Sequence, residues 1–419
     1  MRKHNSCTLS LVIFVGILLS TCGTNRPFEC TDALGCVDIA PGEPIEIGVL
    51  QALSGGAAPS GIEQARGIEI AIARRGDQLL GHPIEMRVED SLCSPEGGLN
   101  AALNVATRPQ VVAILGPTCS GAAVTGAMTM AEAGLVMISA SNTAPSLTGI
   151  GGERGNHWQP GYFRTRRSDA ALGRFAAEFV FQELGITKVA TLNDNDPYTE
   201  ELVDIFGQAF TESGREVVLS AAINKGDVDM RPVLTAVAAS GAELLFFPVF
   251  QPEGDFIVRQ AKEVAGLENI TFMTASSLLS EPFIKTIGSD GVGMYFAGPD
   301  LPENPAHDAL VSEFKTRYGG PPVTLDYAYA YDAANLLLDA IETAAVQDAN
   351  VDGTLHIGRQ ALQNVLYATS GFEGVTGTIS CDEFGDCGAS GFTIMRLDDP
   401  SAGLEGLKAN VVYTYSPNQ

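Results

Sequence analysis

Two short turns in the first third of the chain are rich in hydroxyl side chains. The apolar run 111–115 leads into GPTCSG (116–121), and the apolar run 135–139 leads into ASNTAP (140–145). Hydroxyl groups and the backbone N–H groups of a helix N-terminus bind a carboxylate without a formal cation. The hydroxyl side chains within these turns are Thr118, Ser120, Ser141 and Thr143. Helix capping would account for one such turn, whereas two neighbouring turns raise the question of a small-molecule site.

The sequence carries none of the common catalytic or cofactor-binding motifs. It has no G-x-S-x-G, no H-E-x-x-H, no phosphate-binding loop, and no G-x-G-x-x-G that opens a helix after a strand. The pairs Asp194/Asp196 and Asp382/Asp386 lack the spacing of an EF-hand loop, and we expect them in solvated turns. We therefore predict that the protein is not an enzyme and holds no cofactor and no metal.

Strands and helices alternate along the chain from residue 45. Ile62, Ala65, Ile68 and Ile72 recur at helical spacing and predict a helix after the first strand. Strands separated by helices of about 10–15 residues are typical of βαβ units and a parallel sheet. The strands of this first set are predicted at 45–50, 84–89, 111–115 and 135–139, with helices around 97–107 and up to 133.

The same alternation begins again after Tyr162 and predicts a second parallel sheet. Its strands are predicted at 188–193, 216–223, 243–250, 271–276 and 294–298, and its helices near 169–184, 198–213, 232–239 and 253–265. Residues 305–368 are predicted to be mostly helical, with short strands later at 377–380, 392–396 and 411–415. Ligands bind beyond the carboxyl ends of parallel strands, so two such sheets predict a site between them.

The first 21 residues are typical of a secretory signal peptide. A basic start, Arg2-Lys3-His4, precedes an apolar stretch, 9–19, that is too short to span a bilayer. The sequence LSTCG around Cys22 resembles the lipobox of bacterial lipoproteins, in which that cysteine is lipidated. The alternative is a plain signal peptide that is cut nearby. Either way, we expect an exported protein. The lipobox favours a protein that is anchored to a bacterial membrane and faces the periplasm or the cell exterior.

The charge of the chain is strongly acidic. Without residues 1–21, 23 basic and 50 acidic residues remain, a net charge of −27. Such a surface repels nucleic acid and anionic lipid head groups, so nucleic acid is not an expected partner. The excess of acidic residues does not identify the ligand, because a cleft can differ in charge from the surface around it.

Six further cysteines favour disulfide bonds. An even number in an exported chain is typical of disulfides, and six cysteines allow fifteen connectivities. The cysteines fall into three local pairs: Cys30 with Cys36, Cys93 with Cys119, and Cys381 with Cys387. Zinc is the alternative, but no C-x-x-C occurs and the five histidines are scattered.

Six motifs follow one another along the chain. They are LQALSGGAAPSG with ARGIEIAI (50–72), GPTCSG, MISASNTAP, NDNDPYTEEL, PVFQPEGDFIVRQAKEVAG and YAYAYDAANLLLDAI. In this order they resemble the periplasmic leucine/isoleucine/valine-binding proteins, the type I substrate-binding proteins of ABC importers. The resemblance extends from about residue 45 to about residue 396, and the family places a disulfide where Cys93 and Cys119 lie.

This resemblance implies an α/β fold of two Rossmann-like lobes that close on a ligand like a flytrap. The lobes are joined by three crossing strands, expected near 164–167, 298–301 and 372–381. The implied division is a signal peptide at 1–21 and a lipidated cysteine with its tether at 22–43. Lobe 1 then comprises 44–165 plus 300–375, and lobe 2 comprises 166–299 plus 376–419.

The resemblance also assigns roles to individual residues. Ser120, Ser141 and Thr143 match the positions that bind an amino-acid carboxylate, and Tyr198 matches an aromatic residue over the ligand. Phe250 and Ser276 match positions where the family commonly has a tyrosine and the glutamate that pairs with the ligand ammonium. Ser60 stands where an aromatic residue often closes the first loop. Glu253, Asp255 and Glu281 are near enough in sequence to replace the glutamate, but we expect them to be solvated.

The implied function is the extracytoplasmic solute-binding component of an ABC importer. Its partners would be an ABC permease, a membrane reached through the lipid anchor, and a small carboxylate-bearing solute. That solute could be a branched-chain amino acid, or a keto acid, another carboxylate or an amide. The alternative is a lipoprotein of the same fold that presents its solute to a signalling receptor.

Overall fold

A computed structural model of the chain describes residues 28–300, 304–347, 353–388 and 391–415. The predicted signal peptide and Cys22 lie outside the described residues. Within those ranges, no helix combines the length and the apolar character needed to cross a membrane.

The strands and helices alternate through most of the described chain. In chain order the strands are β1 (Cys36–Ile39), β2 (Ile45–Gln51), β3 (Gln78–Leu79), β4 (His82–Asp90), β5 (Val111–Leu115), β6 (Val136–Ser139), β7 (Gly149–Ile150), β8 (Glu153–Arg154), β9 (Tyr162–Arg164), β10 (Lys188–Asn193), β11 (Glu216–Ala222), β12 (Leu244–Phe246), β13 (Thr271–Thr274), β14 (Tyr295–Pro299), β15 (Ala345–Gln347), β16 (Leu355–Gly358), β17 (Phe372–Gly374), β18 (Gly377–Ile379), β19 (Phe392–Arg396) and β20 (Val411–Tyr415). The helices are α1 (Ala58–Arg74), α2 (Pro95–Ala106), α3 (Ser120–Glu132), α4 (Asp169–Gln182), α5 (Pro197–Glu212), α6 (Arg231–Ser240), α7 (Glu253–Ala261), α8 (Glu281–Ile287), α9 (Pro305–Tyr318), α10 (Asp326–Ala344), α11 (Arg359–Tyr367) and α12 (Gly403–Ala409).

The first sheet has the strand order β3-β4-β2-β5-β6-β9, and all its strands except β3 run parallel. Every residue of the central strand β2 is buried, as expected for a parallel sheet covered on both faces. Helices α1 and α10 cover one face, where Ile68 of α1 and Leu337 of α10 share a core with Val49 of β2. This sheet and its helices form lobe 1.

The second sheet has the strand order β11-β10-β12-β13-β14-β19-β20. Strands β10 to β14 pair in parallel, whereas β19 and β20 add to the edge in antiparallel orientation. Together with α4 to α8 it forms lobe 2. The predicted fold class, two α/β lobes with parallel sheets, is therefore confirmed.

The strand predicted at 243–250 ends early, at Phe246. Val249 and Phe247 are fully buried although they lie beyond the strand. A continuous apolar run is compatible with a strand and also with a buried loop. The apolar pattern therefore does not show where the strand ends. The additional residues form the loop that carries Phe250 to the interlobe space.

The chain passes between the two sheets three times: after β9, after β14 and before β19. The segment that precedes β19 remains with lobe 1, because Ile379 and Cys387 pack in the lobe 1 core. Asp386, expected in a solvated turn, instead forms an ion pair with the buried Arg164, with 2.7 Å between Asp386 Oδ2 and Arg164 Nη2. We propose that lobe 1 extends to Cys387, and that lobe 2 resumes there rather than at residue 376.

Part of the segment predicted as a tether forms a strand of lobe 1. Residues Cys36–Ile39 form β1, which pairs antiparallel with β16, and Val37 and Ile39 are buried in the lobe 1 core. The alternation of apolar Val37 and Ile39 with Asp38 is the pattern of a half-buried strand. With only two apolar residues, the alternation is too short to predict a strand from the sequence.

All three predicted disulfides are present. Cys30 bonds to Cys36, Cys93 to Cys119, and Cys381 to Cys387. The bond from Cys93 to Cys119 joins the loop after β4 to the residue that precedes α3, and therefore fixes the start of α3 against the edge of the interlobe space.

Candidate functional site

A cleft lies between the lobes at the carboxyl ends of the strands. It encloses about 630 Å³ of space, part of which is open to solvent, a size that suits a small molecule. The six residues predicted from the sequence all line it: Ser120, Ser141, Thr143, Tyr198, Phe250 and Ser276. Ser60 lines the cleft too, at the position where the resemblance implies an aromatic residue.

Ser120 is the first residue of α3, and the helix N-terminus faces the cleft. The N–H of Ala144 donates to the Ser120 Oγ over 3.4 Å, a long bond that leaves the hydroxyl hydrogen of Ser120 to donate to a ligand. Cys119, at the N-cap, makes no side-chain capping bond. Ser120 is therefore not the cap of its helix, and its position at the helix N-terminus makes it a candidate anion ligand.

The hydroxyl groups of Ser141 and Thr143 donate within the protein. Ser141 Oγ donates to the carbonyl oxygen of Thr118 over 2.7 Å, and Thr143 Oγ1 donates to Asp169 Oδ2 over 2.6 Å. Each oxygen is then left to accept a hydrogen bond rather than to donate one. This differs from the expectation that both hydroxyls donate to a carboxylate. Sequence alone does not say where a hydroxyl hydrogen points.

Asp169, the partner of Thr143, is buried behind the cleft. Burial raises the pKa of Asp169 to about 7, against the lowering effects of the Thr143 hydrogen bond and of Arg166 and Arg164. In its ionised form, Asp169 accepts the Thr143 hydroxyl hydrogen.

Aromatic side chains of lobe 2 form the opposite wall. The Tyr198 hydroxyl donates to Ser277 Oγ over 3.3 Å, and burial raises its pKa. The rings of Tyr198 and Phe250 lie 5.6 Å apart, and Phe250 packs against the Cys93–Cys119 disulfide of lobe 1. These rings provide an apolar surface for the part of a ligand that carries no charge.

An ion pair that the sequence did not predict also lines the cleft. Arg166 donates to Asp326 Oδ1 over 2.6 Å, and their side chains are only 8% and 14% exposed. Ser60 Oγ donates to Asp326 Oδ2. Among the described residues that line the cleft, these two are the only charged ones. The sequence signal that could have indicated both residues is their position at the end of an element. Arg166 follows the end of β9 by two residues, and Asp326 is the first residue of α10.

The three acidic residues considered as replacements for the family glutamate lie outside the cleft lining. Glu253 and Asp255 were expected to be solvated but are buried, where Glu253 accepts from the N–H of Gly226 and Asp255 from the Gln251 amide. Glu281 accepts from the N–H of Leu404. All three stabilise loops of lobe 2.

Hydrogen bonds also join the two lobes directly. Glu201 of α5 accepts the Ser146 N–H over 2.9 Å and the Ser146 hydroxyl. Lys225 donates to the carbonyl oxygen of Cys93 over 3.1 Å and pairs with Asp196 over 2.8 Å. Asp196 and Asp194, expected in a solvated turn, are both buried, because Asp196 caps α5 and Asp194 accepts from Thr199.

Comparisons with known proteins agree with this geometry. Residues 44–401 match a family model described as "Periplasmic binding protein". A Leu/Ile/Val-binding protein homolog of Brucella melitensis is 26% identical over 367 residues, 86% of this chain and 94% of the relative. The leucine-binding protein LivK of Thermotoga maritima superposes with a TM-score of 0.76 at 23% identity, covering 89% of this chain and 99% of LivK. An ABC-transporter solute-binding protein of R. palustris, in complex with benzoate, superposes with a TM-score of 0.73 at 20% identity. The match covers 89% of this chain and 96% of that protein.

Proposed function

This chain belongs to the periplasmic binding protein family, and we propose that it is the solute-binding component of an ABC importer. The observation that supports this proposal most is the interlobe cleft, which receives side chains from strand ends of both lobes. We infer a binding role rather than a catalytic one, because the relatives are named for the solutes that they bind.

We propose that the solute is small and carries a carboxylate, as a branched-chain amino acid or a related acid or amide does. The relatives named above bind branched-chain amino acids and benzoate, which share a carboxylate and a compact apolar body. In this chain, the Ser120 hydroxyl at the start of α3 supplies a donor for the carboxylate. The rings of Tyr198 and Phe250 contact the apolar body.

We also propose that the protein acts outside the cytoplasm, held to a membrane through Cys22. In that setting it captures solute in an open form, closes through the contacts of Glu201 and Lys225, and docks on a permease. The solute favours the closed form only by the difference between its affinities for the two forms.

Thermal unfolding tests the proposal. The purified protein is heated with amino acids, keto acids, aromatic acids, amides and short peptides. A true ligand at a hundred times its dissociation constant stabilises the fold by about 2.7 kcal/mol. We expect stabilisation by at least one carboxylate, and none by uncharged sugars. A failure of every carboxylate to raise the unfolding temperature would contradict the proposed solute class.

A further inference from the structure

We infer that Asp326 is the acceptor for the ammonium group of a zwitterionic α-amino acid, and that Arg166 and Ser60 hold it in place. This inference deepens the proposed function and rests on it. It assigns the amine-recognising carboxylate to the N-terminal end of α10 in lobe 1, at a position that neither the sequence motifs nor the family resemblance indicated.

The geometry fixes the Asp326 carboxylate at the cleft surface. Arg166 donates to Oδ1 over 2.6 Å, Ser60 donates to Oδ2, and Gln64 Nε2 donates to Ser60 Oγ over 3.1 Å. An ionised carboxylate accepts about four hydrogen bonds. Each Asp326 oxygen therefore keeps one acceptor position for a ligand after its contact with the protein.

The Gln64 side chain extends from the Ser60–Asp326 contact towards Ser141. Gln64 Oε1 lies 3.3 Å from Ser141 Oγ, and Gln64 Nε2 donates to Ser60 Oγ, so the Gln64 side chain lies between Ser141 and the Ser60–Asp326 contact. Ser120, Ser141 and Asp326 all line the same cleft, and all three belong to lobe 1. A solute with both a carboxylate and an ammonium therefore meets hydroxyl groups and a carboxylate on one wall.

The charge of the cleft favours a zwitterion. Arg166 and Asp326 neutralise each other, and a lone ligand carboxylate would add a net negative charge to a largely buried space that already holds Asp326. An ammonium beside Asp326 removes that imbalance, since buried charges are tolerated when they are paired. Ser276, which lines the cleft where the resemblance places a glutamate, supplies only a hydroxyl.

The test compares amino acids with matched acids that lack the amine. Calorimetry measures the binding of L-leucine, L-valine, L-threonine and L-alanine, of the 2-hydroxy acid of each, and of benzoate. The variants are Asp326→Asn and the double variant Arg166→Gln/Asp326→Asn, which removes both charges and leaves neither one buried alone. Asp339→Asn is the matched control, because Asp339 also lies on α10 and pairs with an arginine, Arg75, outside the cleft.

We expect the wild type to bind at least one amino acid about 10-fold or more tightly than its hydroxy acid. Asp326→Asn and the double variant should bring that ratio close to one, whereas Asp339→Asn should leave it unchanged. If Asp326→Asn does not fold, the double variant decides the question.

Two results would overturn the inference while leaving the proposed function in place. One is an amino-acid preference that survives in both Asp326 variants. The other is a wild type that binds hydroxy acids or benzoate as tightly as amino acids. If no carboxylate binds at all, the proposed solute class fails first, and the inference fails with it.

Discussion

Two serines at the starts of adjacent helices serve different purposes. Ser94 is the N-cap of α2 and accepts from the N–H of Gly97 over 3.1 Å, whereas Ser120 follows the N-cap of α3 and faces the cleft. Capping was the alternative explanation for both hydroxyl-rich turns. The structure does not support it for Ser120, whereas Ser94, which belongs to neither turn, does cap its helix.

This difference gives a paired prediction. Ser94→Ala removes a helix cap and should lower the free energy of unfolding by about 1 kcal/mol without changing solute affinity. Ser120→Ala should weaken carboxylate binding by about tenfold and change the free energy of unfolding much less. Urea unfolding and calorimetry measure the two quantities. Equal solute affinity in Ser120→Ala and the wild type would remove Ser120 from the site.

Glu46 gives a prediction about pH. Hydrogen bonds from Arg87 and Arg108 lower the pKa of the buried Glu46 from its usual 4.5 to about 2. The folded state therefore gains stability from this group above about pH 4.5 and loses it as the pH falls towards 2. Glu46→Gln should lower the free energy of unfolding by about 1–3 kcal/mol at pH 7. The difference between variant and wild type should shrink at pH 3; an equal difference at both pH values would contradict this assignment.

At the residue scale, the sequence could identify side chains at strand ends but not their bonding. Ser120, Tyr198 and Ser276 line the cleft as expected. Arg166 and Asp326 were missed, because a charged residue in a turn is usually solvated. They come from distant parts of the chain, and only the folded structure brings them together over 2.6 Å.

At the scale of elements, strand–helix alternation predicted the sheets well and individual helix faces less well. In α1 the predicted apolar face included Ile62, which is 37% exposed, while Glu63 and Gln64 are buried. Glu63 accepts from the N–H groups of Val323 and Thr324, and Gln64 bonds to Ser60 near the cleft. Hydrophobic periodicity alone does not reveal polar side chains that are buried to make specific hydrogen bonds.

The disulfide at the start of α3 links stability to binding. Replacing Cys93 and Cys119 together by serine should lower the free energy of unfolding by about 3 kcal/mol and weaken solute binding, because the bond positions Ser120. Replacing Cys381 and Cys387 is the control, since that bond closes a shorter loop away from the cleft lining. It should cost about 2 kcal/mol and leave binding unchanged. Unchanged melting of the Cys93/Cys119 variant would contradict the prediction.

At the scale of the whole molecule, hydrogen bonds join the two lobes directly. Glu201 of lobe 2 accepts two hydrogen bonds from Ser146 of lobe 1. Glu201→Ala should favour the open form and weaken solute binding by about tenfold, because contacts made only in the closed form contribute to affinity. Glu212→Ala is the control, since Glu212 is on the same helix and pairs with Arg174 within lobe 2. Equal affinities in the two variants would show that the Glu201 contact does not stabilise closure.

The central claim is that a solute binds between the lobes and closes them. Small-angle X-ray scattering of the purified protein, with and without a solute that raises its unfolding temperature, tests this claim most directly. Closure on the solute should give a smaller radius of gyration, and a weaker compaction in Glu201→Ala than in Glu212→Ala. A radius that does not change on binding would contradict closure of the cleft around its ligand.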